Sequence, residues 1–466
     1  MYVDTISAIA TPLGEGGIGI VRLSGPASAQ IASALFRRGP RLRPVDVARL
    51  DSHRLYYGYL VNPQDERVVD EVLLVRMAAP RSYTREEVVE ISCHGGPLVV
   101  REVLRLTLAA GARPAAPGEF TLRAFLNGRI DLAQAEAVMA VVSARTPDSL
   151  QLAVDELRGR LVGRLGPARA ALIDALAYLD AAADFPEDEV PPLDLEATLA
   201  RAEAALAEVV AGARLGRLYR EGLQIAIVGR PNVGKSSLLN ALLRADRAIV
   251  SDIAGTTRDV IVESINLRGI PATLVDTAGI ADTEDVIERL GIARSRQALE
   301  RAGLAIFVLD GSLPPTADDY QVAELLRDRV LRDGQDRLVV VLNKRDLPAR
   351  YDHAEIRALL PGAPVVELST HTGQGIDQLE AALADRLIAH AGEAAAPALV
   401  TLRQQQALAR ALESVRQARA ALGDGVPLDL VAVDVRAALL AVGEITGEQV
   451  SETILDEIFS RFCIGK

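Results

Sequence analysis

The run Gly229-Arg-Pro-Asn-Val-Gly234-Lys235-Ser236 has the spacing Gly-x4-Gly-Lys-Ser, between an apolar run at 224–228 and a helical pattern that begins at Ser237. That order of strand, glycine-rich loop and helix makes a phosphate cradle, because successive loop N–H groups and the helix N-terminus all point at anionic oxygens. Lys235 would reach the β- and γ-phosphates and Ser236 would ligate magnesium. Asn232, Val233, Gly234 and Ser237 complete the loop's contacts with the nucleotide.

Downstream, Asp276-Thr277-Ala278-Gly279 follows the strand-like run 271–275. A carboxylate at that strand end can steady the magnesium shell, and a glycine can approach the γ-phosphate closely. Asn343-Lys344-Arg345-Asp346 ends the apolar run 338–342. Asp346 can accept both guanine N1–H and the exocyclic amine, whereas adenine lacks both donors and would leave a buried Asp346 unpaired. Ser369-Thr370-His371 fits the supporting base-contact loop, and the nucleotide read from these runs is GTP. Between them, Ala254-Gly255-Thr256-Thr257 lies where a switch loop would offer Thr257 to magnesium. Ile280 stands where Ras-type GTPases carry a water-orienting glutamine, which leaves Glu288 as a candidate for that work.

All but three of the 51 basic residues are arginine. Lysine is a compact ammonium with rotatable donors and arginine a planar fork, so the two differ where geometry is tight. Two of the retained lysines, Lys235 and Lys344, fall inside the nucleotide motifs, and the third is Lys466.

The elements that must hold these residues are legible in outline. Residues 5–9, 20–23, 68–75 and 88–91 read as strands, and Pro97 opens a helix that closes at Gly111. Thr84 to Glu87 has capping-box spacing, but the β-branched run after it favours a strand. From about 119 to 215 the chain is Ala- and Leu-rich with helical spacing, interrupted by an acidic, proline-containing loop at 184–193. Residues 222 to about 385 alternate strands and helices, as in a parallel α/β domain. Helical periodicity then returns, with Ile454, Ile458 and Phe462 in one late stripe.

With 466 residues, 49% hydrophobic and 24% charged, the chain is expected to be globular and multidomain. No run approaches a membrane-spanning length of about 18 apolar residues. Two cysteines cannot make a disulfide framework, so Cys93 and Cys463 are expected to be small buried apolar residues in a reducing compartment. A net charge of −12 argues against a general nucleic-acid coat. Gly14-x-Gly16-x-x-Gly19 leads into a strand instead of opening a helix, so it is not read as a dinucleotide site.

Further motifs carry a more specific likeness. They are Ala10-Thr-Pro-x-Gly14-x-Gly16-Gly-Ile-Gly19, Cys93-His-Gly-Gly96, the run Pro117–Gly128, the run Asp131–Ala137 and Phe462-Cys-Ile-Gly-Lys466. With the nucleotide motifs, they make the chain resemble the MnmE (TrmE) family of tRNA-modification GTPases over essentially its whole length. The resemblance implies a multidomain α/β plus α fold. An N-terminal α+β tetrahydrofolate-binding and dimerisation domain would cover 1–118. A discontinuous helical domain would take 119–220 and 386–466, with a P-loop GTPase domain inserted at 221–385.

It also implies a homodimer, a MnmG (GidA) flavoprotein partner carrying FAD in a heterotetramer, and tRNA as substrate. The wobble uridine would receive an aminomethyl-type group at carbon 5, its methylene coming from 5,10-methylenetetrahydrofolate or 5-formyltetrahydrofolate. Potassium would take the place of an arginine finger, with Asn232, Ser251, Ile253 and Thr256 as ligands. Asp252, Ala254 and Gly255 would complete the nucleotide loop, and Glu288 would orient the attacking water. The folate positions carry over as Arg22, Glu90, Arg129 and Lys466, with His94 either a further contact or an ordinary strand-end residue. Ala281 stands where the family often has arginine, and Arg129 where it commonly has lysine. The expected location is the cytoplasm, with no membrane partner. A regulatory or ribosome-assembly GTPase of the Era or Der kind is the alternative.

Overall fold

The computed structural model describes residues 4–184, 191–245, 264–276, 302–333, 337–391 and 396–466. The chain begins with β1 (Ile6–Ile9), β2 (Gly16–Ser24), α1 (Ser28–Leu35), β3 (Phe36–Arg38) and β4 (Arg43–Pro44). Then come β5 (Leu55–Val61), β6 (Val68–Met77), β7 (Val88–Gly95), α2 (Pro97–Ala109), β8 (Arg113–Pro114), α3 (Glu119–Leu126) and α4 (Leu132–Ser143). Helices α5 (Pro147–Leu157), α6 (Arg160–Asp184) and α7 (Leu195–Glu221) lead to β9 (Leu223–Val228), α8 (Lys235–Ala245), β10 (Ser264–Leu267) and β11 (Ile270–Asp276). Next are β12 (Leu304–Asp310), α9 (Ala317–Asp333), β13 (Leu338–Asn343), α10 (His353–Leu359), β14 (Val365–Glu367) and α11 (Ile376–Ala391). The chain closes with α12 (Leu402–Gly423), α13 (Leu428–Thr446) and α14 (Glu452–Ser460).

These elements form two compact units, Met1–Met139 with Gly443–Lys466, and Ala140–Val442. The first is built on an eight-stranded sheet, ordered β4-β3-β5-β6-β7-β2-β1-β8. Its alternation decides which face is covered. Val89, Ile91 and Cys93 of β7 are buried with Val21 and Leu23 of β2, beneath Ile31 and Leu35 of α1 and Val103 and Leu106 of α2. Glu90 and Ser92 alternate with these residues and so take the other face. On that face Leu55, Tyr57 and Leu73 are exposed. Helix α2 has Pro97 in its first turn, with Gly111 at φ +111° beyond its end, as the sequence predicts. Strand β5 is absent from the sequence reading.

The last residues of the chain fold into this same unit. Phe459 and Phe462 are buried with Leu132 and Ala135. Gly465 has φ +97°, and a Cβ there would lie 2.2 Å from the Ile9 carbonyl oxygen, so only glycine allows this close pass.

The second unit holds a six-stranded sheet, ordered β10-β11-β9-β12-β13-β14, parallel except for the β10–β11 hairpin. Leu238 and Leu242 of α8 with Leu379 and Leu383 of α11 cover one face. Ala323 and Leu326 of α9 with Ile356 and Leu359 of α10 cover the other. Helices α6 and α7 pack together, and α12, from beyond the sheet in sequence, packs on α7. Ion pairs of Arg416 and Arg419 with Glu203, and of Arg419 with Glu196, reinforce that seam. The helical layer is thus drawn from both sides of an inserted α/β domain. The leucine pattern at 150–165 is shared by two helices, broken at Gly159, which has φ +87°.

Candidate functional site

The phosphate loop leaves β9, whose place in mid-sheet directs the loop to the carboxyl ends of its parallel neighbours. Gly229 has φ +154°, and a Cβ there would lie 2.4 Å from the Val308 carbonyl oxygen. Asn232 adopts φ +65°, unusual for a residue with a side chain. Gly234 passes so close to Asn343 that a Cβ would lie 2.2 Å from its Nδ2. Val233 is buried, while Asn232, Ser236 and Ser237 are exposed, the two serines in the first turn of α8. Lys235 donates from Nζ to the carbonyls of Gly229 and Arg230, both at 2.9 Å.

The base-contact runs are joined to this loop. The Asn343 side chain is 1% exposed, donates to the Val233 carbonyl at 2.9 Å and accepts from the Thr370 amide at 3.1 Å. Lys344 pairs with Asp310 at 2.7 Å and donates to the Asn232 carbonyl at 3.1 Å. Burial alone would raise the Asp310 pKa, but Lys344 and Ser312 hold it below its ordinary value. Ser369 donates its hydroxyl to Asp346 Oδ1 at 2.5 Å, and His371 beside it is exposed. Asp346 itself is exposed, not buried as the sequence argument supposed. Asp276 ends β11 opposite Ile227 of β9, so its backbone lies at the loop's end of the sheet.

Asp310 and Asp319 went unnoticed in the sequence. Asp319 is 2% exposed and accepts from Arg230 Nε at 3.1 Å, turning that loop arginine onto α9. The acid that closes the apolar run Leu304–Asp310 was the one available signal for the first of them. Ser251, Asp252, Ile253, Ala254, Gly255, Thr256, Thr257, Thr277, Ala278, Gly279 and Glu288 lie outside the described residues.

In the first unit, Arg22 of β2 and Glu90 of β7 are register partners and pair through Nε and Oε1 at 2.7 Å. Arg22 also donates to the Gly465 carbonyl at 3.2 Å, and its guanidinium lies 5.6 Å from the Phe120 ring centre. Arg129 donates to the Tyr83 carbonyl at 3.2 Å and stacks 4.7 Å from the Tyr83 ring, which Arg22 approaches to 6.0 Å. Arg22, paired with Glu90, and Arg129 therefore share one tyrosine, beside the chain's last residues. Lys466 is half-buried there, its amide bonded to the Cys463 carbonyl.

His94 donates its amide to Asp70 and shares Nδ1 with it at 2.7 Å, and that bond raises the imidazole pKa. Cys93 is buried, and burial pushes its thiol up to about 11. Cys463 is exposed, contrary to expectation, because the tail turns it away from the Phe459–Phe462 core. Among the described residues no helix is long and apolar enough to cross a membrane.

A glycine-rich loop on a mid-sheet parallel strand, with Asn-Lys-x-Asp and Ser-Thr-His runs hydrogen-bonded beside it, defines a P-loop guanine-nucleotide-binding protein. The N-terminal unit narrows that class. Residues 5–129 match the family model described as the GTP-binding protein TrmE N-terminus, and residues 132–463 match the MnmE helical domain. A tRNA modification GTPase MnmE of Roseiflexus sp. (strain RS-1) is 50% identical over the whole of both chains. Those of Geobacter sulfurreducens and Enterococcus faecalis are 46% and 44% identical, covering all of this chain and at least 99% of theirs. The chain belongs to the MnmE family of tRNA-modification GTPases.

Proposed function

We propose that this chain is the GTP-hydrolysing subunit of an enzyme that adds an aminomethyl-type group to carbon 5 of the wobble uridine in certain tRNAs. The methylene comes from 5,10-methylenetetrahydrofolate or 5-formyltetrahydrofolate, and the MnmG (GidA) flavoprotein contributes FAD in a cytoplasmic heterotetramer. The observation that carries the folate reading is the approach of Arg129 and of the Arg22–Glu90 pair's guanidinium to the Tyr83 ring, beside the last residues of the chain. A carboxylate suits the N–H edge of a pterin and guanidinium groups suit glutamyl carboxylates, so the donor set fits a folate. The bound folate supplies a one-carbon unit. Arg22, Glu90, Arg129 and Lys466 bind and orient it, and the ring of the half-buried Tyr83 lines the approach.

Ser236, exposed in the first turn of α8, and Thr257 are the magnesium ligands. Asn232, Ser251, Ile253 and Thr256 are those of potassium. The exposed Asn232 side chain on its left-handed backbone supports that assignment. A monovalent cation held by these residues would stabilise charge developing on the leaving group, a task Arg230 does not serve while it is bound to Asp319. Glu288 orients the water. The exposed Leu55, Tyr57 and Leu73 on the open β5–β6 part of the N-terminal sheet face support a homodimer.

Mass spectrometry of tRNA from cells lacking the protein should show wobble uridines without the modification; an unchanged modification pattern would refute the assignment. Calorimetry with 5-formyltetrahydrofolate should show saturable binding to the full chain, weakened at least about tenfold by Arg22→Ala or by removal of Lys466. Equal affinity in all three proteins would remove the folate site. GTP turnover should be at least about tenfold faster in potassium than in sodium at equal ionic strength, with the difference lost in Asn232→Ala. Equal rates in the two salts would exclude the potassium mechanism.

A further inference from the structure

The hairpin of β10 and β11 has a nucleotide motif at each end in sequence, with Thr257 before β10 and Asp276 closing β11. Its turn is held by a helix that takes no part in the nucleotide site. Thr146, the N-cap of α5, is 4% exposed, and its hydroxyl is used in both directions. The oxygen accepts from the Ser149 amide at 3.1 Å, as a cap requires. The hydroxyl proton goes to the Gly269 carbonyl at 2.5 Å, which a cap does not require.

The turn is shaped to receive that bond. Gly269 has φ +93° and donates its amide to Asn266 Oδ1 at 2.6 Å. A Cβ at Gly269 would lie 1.9 Å from Asp148 Oδ2, so the turn and the first residues of α5 are in van der Waals contact. Arg268 pairs with Asp385 of α11 at 3.1 Å, which secures the other side of the turn. Strand β11 is in continuous parallel register with β9 from Ala272–Leu223 to Asp276–Ile227, and β9 runs into the phosphate loop. A hydrogen-bonded hairpin is stiff along its length, so a displacement at Asp276 arrives at Gly269.

We propose that Thr146 is a positioning residue that couples the nucleotide site to the helical layer, its hydroxyl tying α5 to the turn between the two nucleotide-sensing segments. The inference rests on the reading of this chain as a GTPase that works in tRNA modification. It assigns the coupling to one hydroxyl and one carbonyl, and it predicts that GTP turnover and tRNA modification can be separated by a single substitution.

The test uses the full chain with Thr146→Val, Thr146→Ser and Ser149→Ala. Valine matches threonine in shape and lacks the hydroxyl; serine keeps it; Ser149→Ala removes the reciprocal capping bond to the Thr146 amide and leaves the bond to Gly269. Purified Thr146→Val should turn over GTP within about twofold of the wild type. In cells lacking the native protein it should restore at least about tenfold less wobble-uridine modification. Hydrogen exchange at residues 146–150 should differ between the GDP-bound and GTP-analogue-bound wild type, and Thr146→Val should abolish that difference. Thr146→Ser and Ser149→Ala should both behave as wild type.

A Thr146→Val protein that turns over GTP and still modifies tRNA normally overturns the proposal alone. So does a matched loss in Thr146→Val and Ser149→Ala, which would reduce Thr146 to a cap, or a parallel fall of turnover and modification. A wild-type chain without GTP turnover would overturn the functional reading, and this inference with it.

Discussion

Replacing Arg123 with leucine should lower the local stability of the N-terminal unit by about 3–5 kcal/mol, the usual penalty for stranding buried carboxylates. The Arg123 side chain is fully buried. It meets Asp4 at 2.8 Å, Glu119 at 2.8 Å and Glu86 at 3.2 Å, and it donates to the Asp4 carbonyl at 3.2 Å. Arg113 shares the load, pairing with Glu119 at 2.6 Å and with Asp4 at 2.7 Å, so Glu119 keeps a partner in the variant. Glu86 is left with the Ser24 hydroxyl at 2.7 Å as its remaining donor among these contacts. In hydrogen exchange on the full chain, amides of β1 and α3 should exchange faster by roughly 10²-fold to several thousand-fold, since every 1.4 kcal/mol is about a factor of ten. Wild-type exchange in the variant would mean that the network contributes nothing net.

The same network sets an acid limit. Burial would raise the Asp4 and Glu119 pKa values, but their bonds to Arg113 and Arg123 outweigh it and hold both below the ordinary 3.8 and 4.5. Such carboxylates contribute stability that is present above their unfolded pKa values and lost as pH falls through the lower folded ones. Protection at β1 should therefore decline below about pH 4, and decline less steeply in Arg123→Leu.

The second large effect belongs to base selection. Asp346→Asn should weaken GTP binding by on the order of 10³-fold, while xanthosine triphosphate binding improves. A carboxylate accepts from guanine N1–H and the exocyclic amine together. An asparagine offers one acceptor and one donor, which match the N1–H and C2 carbonyl of xanthine. The Ser369 hydroxyl at 2.5 Å fixes the rotation of the carboxylate, and the Asn343 bonds to Val233 and Thr370 fix the loop around it. Nucleotide titration of the two proteins reads the swap directly. A variant that retains GTP affinity, or gains none for the xanthine nucleotide, would place base recognition elsewhere.

What could be read in advance follows from the range of each interaction. The phosphate loop, helix α2 and strands β6 and β7 are local patterns, and all four stand where the residues pointed. Strand β5 escaped because its exposed positions are Leu55 and Tyr57, so the buried and open faces both look apolar in sequence. The Asp310–Lys344 pair joins the end of β12 to the residue just past β13, and no spacing rule connects them. Register was the other hidden quantity. Arg22 and Glu90 are far apart in sequence, and only the β2–β7 pairing makes them neighbours. The scarcity of lysine proved informative, because Lys235 and Lys344 both donate to phosphate-loop carbonyls where a planar guanidinium would present its donors differently.

The packing of Gly465 against Ile9 and of Phe462 against the α3–α4 region has a consequence for biogenesis. A sheet built from residues before 115 is packed by residues after 458, and the whole Ala140–Val442 unit is translated in between. At ribosomal speeds of about 5–20 residues per second, that interval lasts roughly 15–60 s. Throughout it the nascent sheet lacks its final layer, and nascent-chain truncations that stop short of residue 462 should remain dependent on chaperones.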